Sequence, residues 1–127
     1  MDLKQIAKDT SKTVISYLTY QALRTVLAQL SETDPPQAMW LHRFSSQDKI
    51  QDGEAYLKAL FQERKDLGFR ILTVREHLAI EVCDFLPEMV RTGIQQANTE
   101  HRREQLEQIT LLDTNVASNY PEQPEEG

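Results

Sequence analysis

At 127 residues, with 39% hydrophobic and 27% charged positions, the chain has the length of one domain and the composition of a protein with a modest core. All 14 basic residues and 16 of the 20 acidic ones precede residue 113, so the net charge of -6 leaves a body near neutral at -2. This excludes the excess of Lys and Arg that a nucleic-acid surface needs. No apolar run is long enough for a membrane span, and the lone Cys83 excludes an internal disulfide and fits a reducing compartment.

The start, Met1-Asp2-Leu3-Lys4, has neither the apolar core of a signal peptide nor the Arg-rich character of a transit peptide, so a cytoplasmic location is expected. The first helix is predicted from Leu3 to Leu30. Asp2 and Gln5 resemble a capping box, and the weak helix formers Thr10-Ser11-Lys12-Thr13 predict a bend. Beyond them the helix is apolar on two sides. Val14, Leu18, Ala22 and Val26 form one stripe; Tyr17, Tyr20 and Leu27, with Arg24 between, form the other. One stripe faces the core, and the second needs a different cover.

Ser31 to Asp34 is expected as a turn. Asp34-Pro35-Pro36-Gln37 is a strong helix start, with Asp at the cap and Pro at the first helical position. The short second helix carries Ala38, Met39, Trp40, Leu41 and Phe44, and Trp40 is expected in the core. Ser45 to Asp52 is polar and interrupted by Ile50, which predicts a loop. Asp52-Gly53-Glu54 opens a third helix that turns Tyr56, Leu57, Leu60 and Phe61 inward. Arg64-Lys65-Asp66 leads into the last one.

That last helix is predicted from Leu67 to Leu112, with Asp66 as its cap. Ile71, Val74, Leu78, Val82, Phe85, Met89, Ile94 and Ala97 recur at steps of three and four, the period of a helix with one buried face. Pro87 sits inside the pattern and predicts a kink rather than a stop. About 45 residues at ~1.5 Å each span roughly 65 Å. A globule of this size is only about 35–40 Å across, from a radius of gyration near ~14 Å. A second copy of the chain is therefore expected to cover the far half. From Asp113 on, the periodicity stops. The domain reading is a helical body over 1–112 and a disordered acidic tail over 113–127. No stretch reads as strand. The fold class is all-α, a four-helix protomer with one long C-terminal helix.

Little in the chain carries chemistry. The four glycines are scattered and build no phosphate loop. Cys83 lies on or beside the apolar stripe of the long helix and reads as a small buried hydrophobe. No group has a visible activator, so no enzyme, cofactor or metal is expected. Tyr17 and Tyr20 allow two readings. Aromatic rings with polar tips suit an interface, and the same rings could simply complete the core.

The segment Ser16-Tyr17-Leu18-Thr19-Tyr20-Gln21-Ala22-Leu23-Arg24-Thr25-Val26-Leu27 resembles the first helix of RbcX, the assembly chaperone of Rubisco. Glu32-Thr33-Asp34-Pro35-Pro36, Ile50-Gln51-Asp52-Gly53-Glu54 and Arg70-Ile71-Leu72-Thr73-Val74-Arg75-Glu76-His77 are similar to its later segments. So are Phe85-Leu86-Pro87-Glu88-Met89-Val90 and Thr92-Gly93-Ile94-Gln95-Gln96-Ala97-Asn98. The resemblance covers about Met1 to Leu112. It implies an arc-shaped helical homodimer with antiparallel long helices. It also implies a central groove, at Tyr17, Tyr20, Ile50 and Gln51, that binds the C-terminal peptide of the Rubisco large subunit. A polar outer surface at Gln29, Glu32, Thr33, Asp34 and Arg70 is implied to meet the neighbouring large subunit. Asp34 departs from the asparagine associated with this turn; it keeps the cap and loses an amide donor. The implied action is to capture large subunits, favour their octameric core and leave when small subunits arrive. The implied location is the cyanobacterial cytosol, with carboxysome association. The alternative is a helical dimeric adaptor for another peptide.

Overall fold

Four α-helices account for nearly all of residues 2–47 and 52–119, the parts of the chain that the computed structural model describes. They are α1 (Leu3–Thr33), α2 (Pro35–Gln47), α3 (Gly53–Glu63) and α4 (Lys65–Asn119). No strand occurs among the described residues.

The connections from α1 to α2 and from α3 to α4 are single residues, Asp34 and Arg64, and Asp side chains cap the starts of α1 and α3. The Asp2 carboxylate accepts a hydrogen bond from the Lys4 amide at 3.0 Å. Gln5 does not reciprocate as in a capping box; its side chain donates to Asp9 at 2.9 Å instead. The bend expected at Thr10 to Thr13 is absent from α1, which is helical throughout. The Thr13 hydroxyl donates to the Asp9 carbonyl at 3.2 Å, a bond made within the helix rather than in competition with it. α1 then passes Leu30 by three residues, and Ser31 and Thr33 satisfy carbonyls of Leu27 and Gln29 at 2.8 and 2.9 Å.

Asp34 alone separates α1 from α2. Its amide closes α1 on the Leu30 carbonyl at 2.7 Å, and its own carbonyl accepts from Gln37 and Ala38 at 3.1 Å each. α2 extends through Ser45 and Ser46, where a loop was expected, to Gln47. There the Ser45 hydroxyl bonds both the Leu41 carbonyl and the Tyr56 phenol, each at 2.7 Å, so its polar atom has a place inside the helix pair. Burial pushes the Tyr56 phenol above its usual range.

Asp52 caps α3 through the amides of Glu54 and Ala55, at 3.0 and 3.4 Å. Gly53 suits a close approach: a Cβ there would sit 3.1 Å from the Thr19 side chain on α1, tighter than usual packing. Arg64 alone joins α3 to α4. Asp66 is therefore not the cap. It is the second residue of α4, where its charge still favours the free amides of the first turn, and it accepts from Gln37 at 3.4 Å.

The core draws on all four helices. Val26 and Leu30 of α1, Leu41 of α2, Leu60 of α3, and Leu67 and Ile71 of α4 are fully buried. Burying each such side chain contributes about 1.5–3 kcal/mol. Trp40 is not among them. It is half-buried at the edge, stacked on Phe44 at 5.2 Å with the Arg64 guanidinium 4.8 Å from its ring centre. An amphipathic ring over a cation gains from partial exposure.

The chain divides into two units, Met1–Asp84 and Phe85–Gly127. The first contains the core. In the second, no described residue is buried. Its apolar stripe is open to solvent, with Phe85, Met89 and Ile94 at 66%, 67% and 56% exposure. Cys83, expected to be buried, is likewise exposed. What holds the second unit helical is local. Arg91 pairs with Glu88 at 2.6 Å, and Arg103 bridges Glu100 and Glu107. Arg103 holds the Glu100 carboxyl below the usual carboxylate range.

The helix does not end at Leu112. It continues over 113–119, the first part of the segment expected to be disordered. Propagating a helix adds one hydrogen bond per residue and needs no apolar face. Here the Thr114 hydroxyl also bonds the Thr110 carbonyl at 2.8 Å. Residues 120–127 lie outside the described residues.

Candidate functional site

Thr13, Tyr17 and Tyr20 are spaced four and three residues apart, so one face of α1 presents all three. Leu18, Ala22 and Val26 point into the core from the opposite side. The tyrosines consequently stay outside: Tyr17 is 72% and Tyr20 48% exposed. Completing the core is thus excluded as their role within the protomer. The Arg24 guanidinium lies 6.0 Å from the Tyr20 ring centre and braces one side of it.

The two rings line an open groove of about 970 Å³ together with Lys12, Thr13, Ile15, Ser16, Asp52 and Glu54. α1 supplies one wall, and the first turn of α3 supplies the other. Ile50 and Gln51, the other two expected groove residues, lie outside the described residues.

The groove wall has a rigid anchor that sequence reading missed. Arg75 of α4 donates to the Thr19 hydroxyl at 3.2 Å and to the Glu54 carboxylate at 2.5 Å. Thr19 is fully buried, and it donates in turn to the Ile15 carbonyl at 2.8 Å, so its hydroxyl both donates and accepts. The Arg75 side chain is only 22% exposed. One guanidinium therefore ties α4 to α1 and to the start of α3 directly behind the tyrosine face. A signal for it exists in the sequence: Arg75 stands one helical turn after Ile71, on the side of α4 that packs.

The second predicted set lies further along α1. Arg70 donates to the Gln29 side chain at 2.8 Å, joining α4 to α1. Thr33 bonds the Gln29 carbonyl, and Glu32, Thr33 and Asp34 are exposed at the same end of α1. Tyr17 and Gln29 are separated along the helix by about 18 Å at ~1.5 Å per residue. The predicted residues thus fall into two separate clusters, an aromatic groove and a polar patch. Neither pairs a nucleophile with a base, and among the described residues no group of three or more His, Cys, Asp or Glu could hold a metal ion. What this geometry suits is binding: solvent-facing rings on a braced wall, with polar groups to fix register.

A family model described as RbcX protein matches residues 1–111. The RuBisCO chaperone RbcX of Thermosynechococcus vestitus is 64% identical over 126 residues, spanning 98% of this chain and all of that one. The RuBisCO chaperone RbcX of a Nostoc species is 66% identical over 123 residues, spanning 97% and 92%. Among solved structures, that of an RbcX in complex with substrate is similar with a TM-score of 0.77 and 54% identity, covering 87% of this chain and 99% of that one.

Proposed function

The chain belongs to the RbcX family, and we propose that it is an assembly chaperone for Rubisco that works by binding, without turnover. The C-terminal peptide of the large subunit lies in the groove beside Tyr17 and Tyr20, with Ile50 and Gln51 completing it. The observation that carries this reading is the exposure of two aromatic rings, 72% and 48%, over a braced groove wall. Aromatic anchors of this kind supply most of the affinity in peptide recognition, and the polar rim fixes register.

The protein works as a homodimer. The uncovered stripe of Phe85, Met89 and Ile94 supports this, since a contiguous apolar face in water needs a partner. The polar patch of Gln29, Glu32, Thr33, Asp34 and Arg70 meets a neighbouring large subunit and promotes the octameric core. Small subunits then displace the chaperone, which calls for a clamp of modest affinity. The chain has no catalytic role, and it acts in the cytosol, with carboxysome association.

Calorimetric titration with the C-terminal peptide of the large subunit tests the groove. Wild-type protein should bind. Tyr17→Ala and Tyr20→Ala should each stay helical and lose at least about thirtyfold in affinity, the equivalent of ~2 kcal/mol. Folded variants that bind normally would refute the groove.

A further inference from the structure

Another cleft, of about 500 Å³, opens beside α2. Pro36, Trp40 and Arg43, spaced four and three residues apart on one side of that helix, line it, and Arg64 reaches it from the junction of α3 and α4. Its aromatic wall is fixed. Trp40 stacks on Phe44 at 5.2 Å, and Phe44 meets Tyr56 at 5.8 Å. The Arg64 guanidinium lies over the Trp40 ring at 4.8 Å, and the Arg64 amide is held by the Leu60 carbonyl at 2.7 Å. The charges are unspent. Among the described residues, neither Arg43 nor Arg64 has a carboxylate partner or donates a side-chain hydrogen bond. One carboxylate lines the cleft, that of Asp34, which accepts from the Gln37 amide at 3.5 Å. Two guanidinium groups against one carboxylate leave the cleft net positive in a chain of net charge -6. Met39 stands at the rim, 57% exposed, and also lines a neighbouring hollow with Leu27, Pro35 and Ala38.

We propose that this cleft is a docking site for an acidic segment of the protein that the chaperone assembles. A carboxylate takes the donors of Arg43 and Arg64, and an apolar side chain next to it packs on Trp40 and Met39. The inference rests on the assembly reading above and adds a contact surface on α2, distinct from the aromatic groove of α1. Charge complementarity selects the occupant. A guanidinium presents a planar fork of N–H donors that matches a carboxylate, and stacking over a ring leaves those donors available. A nucleic acid fits less well: Asp34 and the net negative charge of the chain repel it, and the cleft lacks the run of cations that a phosphate backbone needs. Exposed ion pairs are individually modest and screened by salt, so Arg43 and Arg64 act on which surface docks and how fast, while Trp40 and Met39 supply the apolar contact.

The test is photo-cross-linking of the full-length protein to purified Rubisco large subunits. The photoreactive residue p-benzoylphenylalanine replaces Met39 in one sample and Thr13, on the α1 groove, in a reference sample. Position 39 should cross-link to the large subunit, and mass spectrometry should place the adduct within a few residues of an Asp or Glu. Adding Arg43→Glu should lower the position-39 yield by about fivefold at low salt, with Arg43→Gln in between. The difference should shrink at about 0.5 M salt, where the Debye length is only a few ångströms. Cross-linking at position 13 and circular dichroism melts should not change, because Arg43 is exposed and lies outside the groove. Silence at position 39 while position 13 cross-links would overturn the docking site and leave the groove in place. So would an adduct remote from any acidic residue, or one whose yield ignores Arg43→Glu. Silence at both positions would overturn the assembly reading, and this inference with it.

Discussion

The two units of this chain share one helix and use it in opposite ways. Within Met1–Asp84, Leu67 and Ile71 of α4 are buried to 1% and 0% exposure against three other helices. Within Phe85–Gly127, residues of the same periodic stripe remain more than half exposed. The sequence pattern hardly changes between the two, and the surroundings change completely. An apolar period therefore tells which face of a helix avoids water, and not which molecule covers it.

The largest effect that can test this contrast is a core truncation in the first unit. Leu41→Ala removes a fully buried side chain and should cost about 2–5 kcal/mol, a large part of a small domain's stability. A chemical denaturation curve measures it. A cost below ~1 kcal/mol would mean that the first unit is not the folding core.

A charge in the second unit should act differently. Ile94→Lys places an ammonium in the open stripe, where the replaced side chain is already exposed within the protomer. It should break the homodimer proposed above, so light scattering at micromolar concentration should move toward the protomer mass of 14.7 kDa. Because an obligate dimer loses stability with its partner, melting should become independent of concentration. A variant that keeps the dimer mass would show that the stripe faces solvent in the assembly too.

A smaller effect is expected at the polar patch. Arg70→Ala removes the bond to Gln29 at 2.8 Å, and a solvated bond of this kind contributes about 0.5–1.5 kcal/mol. Peptide affinity should stay within a few-fold, because Arg70 lies away from the tyrosines, while the yield of assembled large-subunit octamer falls. Loss of peptide binding together with stability would mark Arg70 as a structural strut. The smallest effect is expected from ending the chain at Leu112. Residues 113–115 are exposed and helical, and their removal leaves every core and described groove residue in place. Dimer mass and peptide affinity should match the full chain; a change in either would give the end of α4 a role in the assembly.

Much of the fold is legible in the residues. Asp34-Pro35 and Asp52-Gly53 announce their helix starts because capping is local chemistry, settled within four residues. The ends are less legible. α1, α2 and α4 all run past their expected limits, since Ser and Thr hydroxyls that could favour turns bond back to their own helix instead. Trp40 and Cys83 depart from expectation for a related reason. Their types are often buried, but burial depends on which elements arrive beside them.

The site divides in the same way. By itself the sequence determined that Tyr17 and Tyr20 share a face of α1 opposite Leu18 and Ala22, because 3.6 residues per turn allows nothing else. Whether that face was core or surface was undecided until α2, α3 and the start of α4 packed on the other side. Only the tertiary structure brought Arg75 to Thr19 and Glu54, and Gln29 to Arg70, across separations of 56, 21 and 41 residues. Local periodicity carries no information about such pairings, because they form where helix axes happen to cross and not where the chain is near itself.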